Sequence, residues 1–314
     1  MTPGRPRVEG DWLLVPAPQP HRPFRLFCFP HAGGDATAYA PLAHALAPLA
    51  EVWALRMPAR GGRGRHPMPA TFDQLVRTVV AELGPHLDGP FGFYGQSLGA
   101  LLAFETARAL PPGRRPRLLV TASAQPPSAW IGGRPQHRDA EELLRLAGMG
   151  ELVSADPELR EIALHAIQTD LDVRHTYRYR PAPPIESDLH AVVGDADPML
   201  GAGLLDDWAQ HTSGTFGLTV VPGGHLLATV EQRGPAELLT SLITRGPARP
   251  PEPVDPRGPA RGGDPTCPID LDHLHDLDRL HDLDRTDRLN RTDRLDQPDL
   301  RRQKEQQWSA PRSI

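Results

Sequence analysis

The sequence predicts an α/β fold with a mostly parallel sheet, a helical insertion and a tail outside the fold. Three observations carry this. Apolar strand-like runs alternate with amphipathic helical patterns over residues 25–122, and again over 189–243. Between about 125 and 184 the alternation stops, and two helical patterns stand with no strand between them. Past residue 245 regular apolar spacing ends.

In chain order, Arg25-Leu-Phe-Cys-Phe reads as a buried strand closed by Pro30, and the loop His31-Ala-Gly-Gly-Asp follows. A helix over 38–49 leads to a strand over 51–57 and then to a basic, glycine-rich loop over 60–66. An amphipathic helix carries Phe72, Leu75, Val76, Val79, Val80 and Leu83 on one face. The strand at Phe91 runs into Gly95-Gln-Ser-Leu-Gly, and a helix follows to Leu110, stopped by Pro111, Pro112 and Gly113. A strand over 117–122 precedes the helical interval, whose patterns cover 139–146 and 157–177. An insertion there lies over the strand C-termini, where α/β sheets bind ligands, so it reads as a lid. A strand over 189–193, a helix over 204–211, a strand over 218–221 and a helix over 235–243 complete the fold. The expected domain is 1–245, with the lid at about 125–184.

Residues 246–314 differ in kind. A proline-rich linker is followed, over 271–297, by nine triplets of the type Leu-Asp-His or Leu-Asp-Arg. On an α-helix a period of three drifts by about 60° per repeat, so its leucines form no single face. With no continuous apolar surface to bury, this segment is expected to be disordered. It also accounts for His273, His275 and His281, so no metal site is expected.

Composition narrows the function. The formal net charge of −5 gives no reason to expect a nucleic-acid partner. No apolar run reaches membrane-spanning length, and the N-terminus lacks the apolar core of a secretory signal. Two cysteines, Cys28 and Cys267, make no disulfide framework, and Cys28 falls in a buried strand. A cytoplasmic location and a monomer are expected.

Ser97 is the centre of the chemistry. It occupies a Gly-x-Ser-x-Gly sequence between a strand and a helix, the setting of a nucleophile elbow. A serine hydroxyl needs a base to activate it and an acid to orient that base. In α/β-hydrolases the order along the chain is serine, acid, histidine. Two later strand ends qualify: Gly194-Asp-Ala-Asp-Pro, with Asp195 and Asp197, and Pro222-Gly-Gly-His, with His225. Asp197 reaches further from the strand and is taken as the acid; Asp195 is read as a turn residue bonding its own backbone. The oxyanion donors are expected to be the backbone N–H groups of Leu98 and Ala32. No cofactor is required.

Leu26-Phe-Cys-Phe-Pro-His-Ala-Gly-Gly, Gly95-Gln-Ser-Leu-Gly-Ala, Gly194-Asp-Ala-Asp-Pro and Pro222-Gly-Gly-His together resemble the stand-alone type II thioesterases of polyketide and non-ribosomal peptide synthesis. The likeness covers residues 10–245 and includes Arg56-Met-Pro-Ala-Arg, close to that family's Tyr-Pro-Gly-Arg. It implies the α/β-hydrolase fold, with Ser97 as nucleophile, Asp197 as acid and His225 as base. It further implies hydrolysis of stalled acyl groups from the phosphopantetheine arm of an acyl- or peptidyl-carrier protein. Gln96 departs from the family's usual histidine, which bears on rate or specificity. The loop residues Arg60, Arg63, Arg65 and His66 are candidates for meeting the arm's phosphate or an acidic carrier surface. A medium-chain acyl-carrier thioesterase, a general ester hydrolase and an inactive scaffold are the competing readings.

Overall fold

Strand alternation sets the layers. Along β3 (Arg25–Phe29) the side chains of Leu26 and Cys28 face one side of the sheet, and those of Phe27 and Phe29 the other. Each set founds a separate core. Phe27 and Phe29 join Phe93, Leu101, Phe104 and Trp208 on one face; Leu26 and Cys28 join Tyr39, Leu42, Tyr94 and Leu239 on the other. A sheet buried on both faces is the expected state of parallel strands joined by helices.

The computed structural model describes residues 4–130, 140–146, 156–231 and 233–245. They belong to one unit, Met1–Glu252. The predicted tail over 246–314, with its linker, triplets and histidines, lies outside the described residues, as do lid positions 131–139 and 147–155.

The sheet has eight strands in the order β1-β2-β4-β3-β5-β6-β7-β8. The strands are β1 (Arg7–Glu9), β2 (Leu13–Val15), β3, β4 (Glu51–Leu55), β5 (Phe91–Gln96), β6 (Leu118–Ala122), β7 (Asp188–Gly194) and β8 (Phe216–Val221). From β4 through β8 all neighbours pair in parallel; β1 and β2 add an antiparallel edge that the sequence reading did not anticipate. Both are three residues long and carry too little pattern to stand out.

Helices α1 (Ala40–Leu46), α2 (Phe72–Leu83), α3 (Leu98–Ala109) and α6 (Arg233–Thr244) cover the sheet, and α4 (Ala140–Leu146) and α5 (Pro157–His175) form the insertion. Helix α2 starts at a reciprocal cap between Thr71 and Gln74 and buries Phe72, Leu75, Val76, Val79 and Leu83. The segment expected to be a helix over 204–211 is instead two 3-10 turns, Ala202–Leu204 and Asp206–His211. It is anchored by Trp208, whose indole N–H donates to the Ala124 carbonyl at 2.8 Å. One large buried anchor serves where a helical apolar stripe is missing.

In the insertion, Ala140 and Leu144 of α4 pack against Ile167 and Leu171 of α5, and Ala32 of the loop after β3 touches this cluster. The insertion therefore packs on the loop that leaves the C-terminal end of β3.

Candidate active site

Six parallel strands end at one edge, and the loops beyond β3, β5, β7 and β8 carry the residues predicted to do the chemistry. Ser97 follows β5 and caps α3 with φ 54° and ψ −120°, a left-handed setting disfavoured for a side-chain-bearing residue. Its backbone is pinned from both sides: the Ser97 N–H donates to Ala122 O at 2.8 Å, and Ala100 N–H donates to Ser97 O at 3.0 Å. The flanking glycines are required by close approach. A Cβ on Gly99 would overlap the Phe29 carbonyl oxygen, and one on Gly95 would overlap that of Gly99.

Asp197 and His225 come from the loops after β7 and β8, which are sewn together by Asp195 N–H to Val221 O at 2.9 Å and Ala196 N–H to Gly223 O at 3.0 Å. His225 Nδ1 lies 2.9 Å from Asp197 Oδ2 and 3.1 Å from Oδ1. Both side chains are buried. Burial alone pushes the Asp197 carboxyl upward, but the hydrogen bond and charge of His225, with the Met199 N–H at 2.8 Å, hold it below the usual value. Asp195 corrects one expectation: its carboxylate accepts from the Gly223 N–H at 3.0 Å. It braces the histidine loop instead of its own turn, because the two loops run side by side.

Ala32, Ser97, Leu98 and His225 line a single cavity of about 80 Å³, with Trp130, Leu143, Leu171, Arg174, Met199 and Leu200 among its other walls. Leu98 is the first residue of α3, so its N–H has no carbonyl one turn back within the helix to bond.

The basic loop also needs correction. Arg60 and Arg63 are buried, not turned toward a partner. Arg63 lies over the Trp12 ring at 4.0 Å. Arg60 forms an ion pair with Asp170 of α5 and donates to Gly34 O at 3.1 Å and Pro58 O at 3.2 Å. The other oxygen of Asp170 accepts the Gly33 N–H at 2.8 Å. A guanidinium buried in this way needs a counter-ion, and the lid helix supplies it. Arg65 and His66 remain exposed.

His31 precedes this loop, buried, with no protein partner for either ring nitrogen. Burial, aided by the nearby His225 and Arg60, lowers its pKa to about 3, so it is neutral at physiological pH. The buried Cys28 thiol is pushed far up by desolvation and is no nucleophile.

Residues 24–243 match the family model of the thioesterase domain. The chain belongs to the thioesterase family. This thioesterase is 35% identical over 227 residues to a protein of Streptomyces griseus described as a probable cadicidin biosynthesis thioesterase, a match covering 71% of this chain and 63% of that one. It is 34% identical over 224 residues to thioesterase PikA5 of Streptomyces venezuelae, covering 69% of this chain and 80% of the relative. Among solved structures it resembles the type II thioesterase BorB from the borrelidin biosynthetic cluster, at 30% identity and a TM-score of 0.63 over 76% of this chain and 98% of that one.

Asp170 and Arg174 are not singled out by the sequence, and Gln96 stands out there only as a departure from the resembled family. Gln96 is fully buried, and its amide donates to His225 O at 2.7 Å while its oxygen accepts from Ala228 N–H at 3.3 Å. Asp170 and Arg174 fall at helical spacing on the apolar stripe of Ile167 and Leu171. A polar residue on such a stripe was the available signal. Among the described residues no helix is long and apolar enough to cross a membrane, and no cluster suits a metal ion.

Proposed function

We propose that this thioesterase hydrolyses acyl groups from the phosphopantetheine arm of a carrier protein in polyketide or non-ribosomal peptide synthesis, with Ser97 as nucleophile. The observation that carries the reading is the buried Asp197–His225 pair opening on the cavity that Ser97 also lines. The relatives' names, thioesterases of biosynthetic clusters, support thioester hydrolysis in such a setting.

Asp197 fixes the imidazole with its Nδ1–H toward the carboxylate, which leaves Nε2 as the base. His225 takes the Ser97 proton as Oγ attacks the thioester carbonyl carbon. The oxyanion is met by the N–H groups of Leu98 and Ala32, which supply stabilisation where charge develops. Collapse breaks the C–S bond, and the imidazolium gives its proton to the departing thiol. Water then attacks the acyl-Ser97 ester by the reverse proton path, releasing the acid and the free serine. The apolar lid walls limit the water that can compete with these contacts.

The test is hydrolysis of acyl-loaded carrier proteins alongside p-nitrophenyl esters. Ser97→Ala and His225→Ala are each expected to lower kcat by about 10⁴-fold or more, and the double variant no further, because the residues act as a unit. A strong preference for the oxygen esters would count against the carrier-bound substrate. Failure of a fluorophosphonate probe to label Ser97 in folded protein would favour an inactive scaffold.

A further inference from the structure

Arg174 is not used by this mechanism. It sits on α5 in register with Ile167 and Leu171, and its side chain lines the same cavity as Ser97 and His225. Its guanidinium carbon lies 4.4 Å from the centroid of the Trp130 ring, and Trp130 is itself fixed by an indole N–H donated to Gln125 O at 3.1 Å. Among the described residues no carboxylate comes within ion-pair distance of Arg174. Asp170, one turn earlier on the same face, is already committed to Arg60 and Gly33.

A partly buried cation held against an aromatic face, without a counter-ion among the described residues, beside a reactive serine is unusual. The contact with the Trp130 ring offsets part of its desolvation but supplies no oxygen acceptor for the guanidinium N–H groups. Arg174 and Ser97 line one cavity, so a group that reaches Arg174 shares that cavity with the reacting carbonyl. The phosphate of a pantetheine arm is separated from the thioester by the whole length of the pantetheine. A carboxylate carried on the acyl chain itself enters the same cavity as the reacting carbonyl, and a planar carboxylate matches the guanidinium fork.

We infer that Arg174 is a specificity-determining residue that binds a terminal carboxylate on the acyl group, so that short dicarboxylic acyl thioesters are preferred substrates. This rests on the hydrolase reading above. Hydrolysis of such a thioester by water yields the dicarboxylic acid and the free thiol, with no other reactant.

The experiment compares kcat/KM for malonyl and propionyl thioesters of N-acetylcysteamine, which lack any phosphate, in the wild-type protein and in Arg174→Gln and Arg174→Lys. The malonyl-to-propionyl ratio is expected to favour malonyl in the wild type and to fall about ten- to a hundredfold in Arg174→Gln, the range of a charged hydrogen bond. Arg174→Lys should keep part of it. An unchanged ratio overturns the inference, as does a dependence on Arg174 that emerges only with phosphorylated pantetheine arms. Calorimetric titration with malonate and propionate needs no turnover. Binding of malonate in preference to propionate, lost in Arg174→Gln, upholds the subsite even if no thioester is hydrolysed, a result that would sink the hydrolase reading alone. No preference for malonate overturns the subsite whatever the activity.

Discussion

Gln96 moves no proton, yet its side chain ties the nucleophile's strand to the histidine's loop. It meets a carbonyl of His225 and an N–H of Ala228 with one amide, satisfying two buried backbone groups at once. Replacing it by leucine keeps the volume and strands both groups, at a cost of about 1–3 kcal/mol each. The loop that aims the imidazole is then free to shift, and small misplacements of a base are expensive. Gln96→Leu is therefore expected to lower kcat about tenfold or more with little change in KM. Gln96→His, which restores the residue usual in the resembled family, offers a donor and an acceptor from one ring and should retain most of the activity. Steady-state kinetics on one thioester decides it; equal losses in both variants would remove the clamp from the account.

At the scale of elements, α5 and the loop after β3, the proposed lid helix and oxyanion loop, are held together as one assembly. Asp170 of α5 holds the Gly33 N–H and neutralises Arg60, while Ile167, one turn away, fills the space above Gly33 so closely that a Cβ there would sit 2.5 Å from its Cγ1. Ala32 is the residue before Gly33, so the lid's position sets where a proposed oxyanion donor points. Asp170→Asn leaves Arg60 buried without a counter-charge and should cost about 3–5 kcal/mol of stability. The double change Arg60→Met with Asp170→Leu removes both charges and should recover most of that loss. It also removes the acceptor of the Gly33 N–H, so kcat should stay lower by at least about tenfold. Urea unfolding and turnover, measured on both variants, separate the two effects; full kcat in the double variant would reduce the pair to a structural prop. Coupling of this kind also marks the limit of legibility. Ser97, Asp197 and His225 could be picked out because each lies in a short local pattern of glycines at a strand end. The Arg60–Asp170 contact joins positions 110 residues apart, and Arg60 looked like a member of an exposed basic loop because its partner stood in a different element. Strands β3 to β8 could be read from their own apolar runs, whereas β1 and β2 exist only through pairing along the β4 edge.

For the whole molecule, the buried His31 makes stability depend on pH. Its pKa is lowered from 6.5 to about 3, first by burial and then by the charges of His225 and Arg60. In the unfolded chain the imidazole takes up a proton below about pH 6.5, while in the folded protein it stays neutral until about pH 3. The unfolded state binds more protons throughout that window, so stability falls as pH falls, by about 1.4 kcal/mol for each pH unit. Above pH 6.5 the contribution is complete. His211, lowered to about 4 mainly by burial, acts in the same direction. Asp197 does not interfere, because a carboxyl depressed below its ordinary 3.8 loses stabilising power only at more acid pH. Between pH 7 and pH 5, His31 alone should cost about 2 kcal/mol. His31→Leu removes this titration, whatever it does to stability at neutral pH. The quantity to measure is the difference in urea-unfolding free energy between the two pH values, which should shrink by about 2 kcal/mol in the variant. Should wild type and variant lose the same amount, His31 is protonated in the folded protein, and the burial said to lower its pKa does not operate.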